Sequence, residues 1–204
     1  MKIKAATFLS LSIIVILGLL GALVGCFQAQ PVRQYTLTTE PPLQALTQKA
    51  GATAILIGPI KLAGYLDQSR MVRRHGTTVV DAIAGHQWAG NLTEMISNKL
   101  VAELGALLQP SPVFAYPSTT GFTKGKRVVL DILRFEGTED KTATIEARWT
   151  LFDLTDKSIL TTQSSLIRIP LTDDSYEALA TALSQGLTRI SQEIATAIRS
   201  EKSE

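Results

Sequence analysis

The chain has 204 residues, of which 45% are hydrophobic, and its 20 lysines and arginines face 18 acidic residues. Lys2 and Lys4 account for the excess, so the chain after residue 25 carries 18 basic and 18 acidic side chains and no net formal charge. This balance argues against a nucleic-acid binder, which needs surplus basic residues to neutralise phosphates. The 179 residues that follow residue 25 of the 204 suffice for one domain with a proper core and are too few for two.

An uncharged apolar stretch follows the two lysines. It covers residues 5–23 and closes in Leu-Val-Gly-Cys, ending at Cys26, a sequence that resembles the bacterial lipobox. This predicts a lipoprotein signal peptide over residues 1–25 and a lipid on Cys26, the only cysteine. A retained transmembrane anchor and ordinary signal cleavage are the alternatives. Phe27 is not the aspartate that the enterobacterial sorting rule associates with the inner membrane, so the periplasmic face of the outer membrane is the expected location.

Four strands are predicted before the first helix, over residues 34–38, 54–62, 70–74 and 77–83. Pro59 has no amide hydrogen to donate to a ladder, so it indicates a sheet edge or a bulge. Gly76 tolerates a positive φ, which predicts a hairpin between the last two strands. The basic residues between Arg70 and His75 either contact anionic head groups or form a solvated strand edge.

A helical period begins near Trp88 and continues to Leu108. The apolar stripe comprises Leu92, Met95, Ile96, Leu100, Leu104, Leu107 and Leu108. The residues expected to face away from the core are Glu94, Asn98, Lys99 and Glu103. Pro110 and Pro112 follow, and proline cannot continue a helix, so the helix is expected to end before them.

Strands and a second helix are predicted in the rest of the chain. The strands cover residues 127–137, 142–153 and 158–170. In the second of them, Ile145, Ala147, Trp149 and Leu151 alternate with polar residues, which is typical of a sheet with one buried face. Asp174 and Glu177 have the spacing of a capping box, and an apolar residue recurs every three or four positions from Leu179 to Ile198.

These elements predict an α+β fold, a mostly antiparallel sheet of six or seven strands with two amphipathic helices on one face. The expected organisation is a lipidated N-terminus and tether over residues 26–33, a single periplasmic domain over residues 34–200 and a polar tail over residues 201–204.

The residues offer little support for catalysis, metal binding or a cofactor. His75 and His86 are the only histidines, and their separation of eleven residues, with no further cysteine or histidine nearby, fits no zinc motif. The chain has no Gly-x-Ser-x-Gly elbow and no phosphate-binding loop, so an envelope hydrolase is a weak alternative. The only attached group expected is the covalent lipid on Cys26.

Five blocks of the sequence resemble the ABC-type transport auxiliary lipoproteins, a family that includes the outer-membrane lipoprotein of the paraquat-inducible Pqi system. The blocks are Ile57–Asp67, Met71-Val72, His86–Ala89 leading into Lys99–Leu104, Tyr116-Pro117 and Leu133–Gly137. Their shared order and spacing are more specific than any one of them.

The resemblance implies a non-catalytic role in lipid traffic between two membranes. The expected partner is a periplasm-spanning MCE-domain protein of an ABC transport system, received or anchored at the outer membrane by this lipoprotein. Homo-oligomers are implied as well, since some relatives form rings. An envelope assembly lipoprotein, such as a pilotin or a wall-synthase activator, is the alternative, and a protein that itself carries lipid is a variant of the first hypothesis.

Three residues are candidates for contact with the partner: Tyr65, Arg70 and Trp88. They are large amphipathic types that are common in interfaces, although tyrosine and tryptophan beside a helix start pack equally often in a core. Gly58 and Pro59 are interpreted as residues that set the backbone shape.

Overall fold

A computed structural model describes residues 31–39, 53–118 and 123–201. The described residues from Val32 onward form one compact unit. The elements in chain order are β1 (Arg33–Tyr35), β2 (Ile55–Leu62), a short 3-10 helix (Gly64–Leu66), β3 (Arg70–His75), β4 (Val79–Trp88), α1 (Leu92–Leu107), β5 (Val113–Ala115), β6 (Lys126–Thr138), β7 (Thr142–Asp153), β8 (Ile159–Pro170) and α2 (Tyr176–Ser200).

The eight strands form one mixed sheet, in which β6 is the central strand. One side of β6 pairs with β7 along its whole length, and β8 follows β7; both pairings are antiparallel. The other side is shared, because β2 pairs with the first half of β6 and β3 pairs with its last two residues, both in parallel. β4 pairs with β3 in antiparallel orientation, whereas β1 and β5 add parallel edge strands.

The α+β class is therefore confirmed, with a correction to the sheet. It has eight strands, and four of its seven pairings in the described part of the chain are parallel. Alternation of apolar residues reports which face of a strand is buried and says nothing about the direction of the neighbouring strand. The hairpins could be predicted from their short turns, whereas the parallel pairs join segments that are distant in sequence.

Both helices pack against one sheet face and against each other. The predicted stripe of α1 is confirmed for Leu92, Ile96, Leu100, Leu104 and Leu107, which are all buried. The four inward residues of β7 are buried as predicted. Burial of this apolar surface is the main favourable contribution to the fold, at roughly 25 cal/mol per Å².

Both helices begin slightly later than predicted. α1 starts at Leu92 after the N-cap Asn91, whose side chain accepts a hydrogen bond from the Glu94 amide, so Trp88 ends β4 instead of opening a helix. α2 starts at Tyr176, and Ser175 is its N-cap through a bond from the Ala178 amide. Asp174 therefore does not cap this helix, and its carboxylate pairs with Arg73.

Two residues of α1 that were predicted to face away from the core are buried. Lys99 and Glu103, one turn apart on α1, form an ion pair with an N–O distance of 2.6 Å. The pair lies where α1 faces α2, and both side chains are almost completely inaccessible. Glu103 also accepts hydrogen bonds from Thr188 and Ser191 of α2, each at 2.6 Å. The prediction was wrong because a second helix covers this side of α1 and supplies polar partners.

Candidate docking surface

The sheet face opposite the helices, which we call the open face, is accessible in the described structure. Arg134 of β6, Glu146 of β7 and Leu166 of β8 lie in one cross-strand row on it. The register of β6 shifts between Ile132 and Arg134, which leaves Leu133 in a bulge. Leu133 is 38% exposed and Leu166 49% exposed, so the open face combines charged side chains with accessible leucines.

The gap between β2 and β3 places Tyr65 on the open face. After β2 the Ala63 amide donates to the Ile132 carbonyl, and the short 3-10 helix then carries the chain past β6. The Tyr65 hydroxyl donates to the Leu133 carbonyl at 3.1 Å and to Glu136 Oε2 at 2.8 Å. A break between two strands that share one neighbour therefore gives Tyr65 access to β6.

Glu136 is the centre of a charged cluster on this face, which we call the Glu136 cluster: Tyr65, Arg74, Arg134 and Glu136. Arg74 donates through Nε to Oε1 at 2.5 Å and through Nη2 to Oε2 at 3.1 Å. Arg134 donates through Nε to Oε1 at 2.8 Å. The Glu136 side chain is completely buried beneath them. Two guanidinium groups share one carboxylate, so the cluster carries one net positive charge.

The protonation of the cluster follows from these contacts. Burial raises the pKa of Glu136, but hydrogen bonds from Arg74, Tyr65 and Arg134 lower it by more, so its pKa lies below the ordinary value. Burial, reinforced by the neighbouring carboxylate, raises the pKa of Tyr65 to about 12. Near neutral pH the cluster therefore consists of a carboxylate, two guanidinium groups and a neutral phenol.

The candidate contact residues lie in different environments. Tyr65 belongs to the Glu136 cluster, and Arg70 is exposed at the first residue of β3, opposite Gln87. Trp88 is only 4% exposed and packs against Phe135 with ring centroids 5.8 Å apart, which favours the core-packing alternative for this residue. Cys26 lies outside the described residues.

Gly58 and Pro59 form an irregularity in β2, as the bulge interpretation predicts. The register with β6 shifts between Ile57 and Ile60. Gly58 has a φ of +116°, and a Cβ atom there would lie 3.3 Å from the Cβ of Tyr116. The backbone conformation therefore favours glycine, and Tyr116 leaves little room for a side chain.

Sequence reasoning missed Arg74, Arg134 and Glu136 as members of one site. Arg134 and Glu136 are two residues apart on β6, a spacing that puts both side chains on one face. Arg74 belongs to the basic stretch that was interpreted as a solvated edge or a head-group contact, yet it pairs with Glu136, and its neighbour Arg73 pairs with Asp174. The pairing of β3 with the end of β6 was the missing information.

The two histidines have local partners. His75 lies 3.0 Å from Glu139 and 3.2 Å from Asp81. His86 Nδ1 lies 2.8 Å from the Tyr35 hydroxyl, and its ring stacks on Tyr176. Among residues 31–39, 53–118 and 123–201, no group of three or more histidine, cysteine, aspartate or glutamate side chains could hold a metal ion.

Among the described residues, no helix has both the length and the apolar character needed to cross a bilayer.

The family comparison covers most of the folded part of the chain. The model of the family described as ABC-type transport auxiliary lipoprotein component matches residues 35–195. The chain belongs to this family. Every strand from β2 to β8, helix α1, most of helix α2 and the Glu136 cluster lie within the matched range. The predicted family is therefore confirmed.

Solved structures share the fold of this family member at low sequence identity. A crystal structure of an uncharacterized protein has a TM-score of 0.70 and 20% identity, covering 83% of this chain and 99% of that one. The structure of protein XCC0632 from Xanthomonas campestris, described as DUF330, has a TM-score of 0.68 and 19% identity, with coverage of 84% and 98%. These likenesses establish the fold. No curated protein matches the chain.

Proposed function

We propose that this auxiliary lipoprotein is a non-catalytic docking component of an MCE/ABC-type intermembrane lipid transport system. In this role it receives the periplasm-spanning MCE protein at the outer membrane. The observation that carries the proposal is the family match over residues 35–195. The partner would bind the open face, where the Glu136 cluster holds Tyr65 and two guanidinium groups in fixed positions.

The chemistry of the open face supports docking. Arginine and tyrosine are enriched among residues that dominate binding energy in interfaces. Arg74 and Arg134 are oriented by a buried carboxylate, so less side-chain entropy is lost when a partner binds them. Leu133 and Leu166 add apolar surface to the same face.

An anchor on Cys26 would hold this surface close to the membrane. Arg33, the first residue of β1, lies seven positions after Cys26 in the chain. A fully extended chain of that length spans at most about 25 Å. With a lipidated Cys26, the domain would therefore remain within one such tether length of the outer membrane and face the periplasm. One acyl chain binds membranes only marginally, whereas several give a stable anchor.

The absence of an enzymatic role is part of the proposal. In the described residues each histidine contacts a carboxylate or an aromatic ring, and neither is paired with a serine or threonine that it could activate.

Homo-oligomer formation is a further element of the proposal. Sedimentation of the full chain in detergent should give an oligomer, and a monomer at high concentration would count against it.

Crosslinking in the native host tests the proposal. The full chain is crosslinked in cells, purified, and its partners are identified by mass spectrometry. We expect to recover an MCE-domain protein. Recovery of secretin subunits or wall synthases without any MCE protein would overturn the proposal and favour an envelope assembly factor.

A further inference from the structure

A cleft of about 290 Å³ opens on the open face beside the Glu136 cluster. Three strands each contribute an arginine to its wall, β7 contributes a threonine, and the β6–β7 turn contributes two acids. These residues are Arg74, Arg134, Arg168, Thr144, Glu139 and Asp140. The cleft therefore has a basic wall on the strands and an acidic wall at the turn, and we call it the dipolar cleft.

The basic wall has hydrogen-bond donors that none of the described residues uses. Arg134 donates to Glu136 through Nε alone, which leaves its terminal amino groups without a partner in the described residues. Arg168 is exposed and makes no hydrogen bond or ion pair to any described residue. Three strands thus direct arginine side chains at one space, and two of these arginines have donors available.

Thr144 is the polar residue that β7 contributes to the cleft. It is 2% exposed and lies opposite Glu136 of β6 and Arg168 of β8. A threonine hydroxyl at this position can donate a hydrogen bond to an acceptor that binds in the cleft. Together with the guanidinium groups, it favours a ligand with several oxygen acceptors.

The overall charge argues against a simple anion as the ligand. The three arginines are balanced by Glu136 beneath the cleft and by Glu139 and Asp140 at the turn. Glu139 is held in place by His75, at 3.0 Å, and by the Gly76 amide, at 3.2 Å. A multiply charged anion would be repelled by the acidic wall, whereas a ligand with separated positive and negative charges matches both walls.

We propose that the dipolar cleft binds a zwitterion of the phosphoethanolamine type. Its phosphate would contact Arg134, Arg168 and the Thr144 hydroxyl, and its ammonium would contact Asp140 and Glu139. Donors from β6, β7 and β8 approach from different directions, which suits a tetrahedral phosphate better than a planar carboxylate that one arginine fork can satisfy. The ligand is either a phospholipid head group or the free compound.

This inference is independent of the docking proposal, because head-group binding requires no partner protein. It is tested by calorimetric titration of the full chain in non-ionic detergent with glycerophosphoethanolamine. Inorganic phosphate and ethanolamine serve as probes with one type of charge each. We expect glycerophosphoethanolamine to bind at least about tenfold more tightly than either probe, since hydrogen bonds to charged groups form at both walls.

Two substitutions and a matched control locate the binding site. Arg168→Gln should weaken binding of glycerophosphoethanolamine about tenfold. This substitution leaves the Glu136 cluster intact. Because Arg168 is exposed, we expect the variant to fold, so weaker binding would reflect the loss of the guanidinium group. Asp140→Asn should weaken binding of glycerophosphoethanolamine and leave binding of inorganic phosphate unchanged or stronger. Arg148→Gln is the control, because Arg148 is exposed on the same face opposite Ser164 and does not line the cleft.

Displacement of glycerophosphoethanolamine by micelles that contain phosphatidylethanolamine supports the proposal with the lipid as source, and binding without such displacement supports it with the free compound as source. The proposal is overturned if neither glycerophosphoethanolamine nor phosphatidylethanolamine binds, or if inorganic phosphate binds as tightly as glycerophosphoethanolamine. It is also overturned if Arg168→Gln and Arg148→Gln weaken binding of glycerophosphoethanolamine equally.

Discussion

Two completely buried glutamates lie on opposite sides of the sheet. Glu103 lies between the helices with one buried lysine and the hydroxyls of Thr188 and Ser191. Glu136 lies beneath the open face, and its partners Arg74 and Arg134 keep part of their side chains accessible. The contacts of Glu103 join the two helices in a space that is closed to solvent. The contacts of Glu136 end at an accessible surface, so one buried glutamate organises the interior and the other orients charged side chains on the open face.

The largest effect is expected for Glu103→Gln. It leaves the Lys99 ammonium buried without a charged partner, which should lower the free energy of unfolding by about 3–5 kcal/mol. Urea unfolding of the full chain in detergent measures this, followed by the fluorescence of Trp88 and Trp149, which are both buried. As a control, Lys99→Met combined with Glu103→Leu should regain much of the loss, because no unpaired charge remains.

A smaller effect is expected for Glu136→Gln. Arg74 and Arg134 reach solvent when their carboxylate is removed, so we expect a loss of about 1–3 kcal/mol in the same urea experiment. An equal loss of stability in Glu136→Gln and Glu103→Gln would contradict the expected difference between the two glutamates.

Acid should reproduce the loss at Glu136 in the unmodified chain. Its folded-state pKa lies below the ordinary 4.5, so the folded state binds this proton less tightly than the unfolded state. The contribution is therefore fully present above pH 4.5 and disappears as the pH falls through the lowered pKa. Unfolding midpoints at a series of pH values should fall more steeply for the wild type than for Glu136→Gln. Parallel pH profiles would contradict this assignment.

The smallest effects concern single hydroxyls, which refine the same comparison. Tyr65→Phe removes the bonds to Glu136 and Leu133, and Thr188→Val removes the corresponding bond to Glu103. Each should cost about 1 kcal/mol, with the larger loss at Thr188, because water can replace the phenol at the accessible site more readily. Urea midpoints of the two variants provide the test. A larger loss of stability for Tyr65→Phe would mean that water does not reach the Tyr65 site on the open face.

Much of the fold could be predicted because apolar periodicity is a local signal. The stripe of α1 and the alternation in β7 define the buried faces. The helix starts differ from the predicted ones by one to four residues. Asn91 caps α1, which was expected to begin near Trp88, and Ser175 caps α2 in place of Asp174. Charged residues were misplaced where a distant element decides their environment, as at Lys99.

The candidate site was less accessible to sequence reasoning for the same reason. Tyr65 was identified by its residue type, but its partners come from β3 and β6, more than 60 residues apart in the chain. The parallel pairing of Arg74 with Thr138 brings β3 to the end of β6, and the hydrogen bond from Ala63 to Ile132 leads Tyr65 to the same strand. Sequence spacing offers no signal for such a contact, whereas the same-face position of Arg134 and Glu136 could have been read from β6 alone.

Position-specific photocrosslinking in the native host tests the central claim, that the open face receives the MCE protein, most directly. A photoreactive residue is introduced at Leu133 on the open face and, as the matched position, at Gln192 on the exposed side of α2. The account predicts a crosslink to the MCE-domain protein from position 133 and none from position 192. A crosslink to that protein from position 192 alone would contradict it.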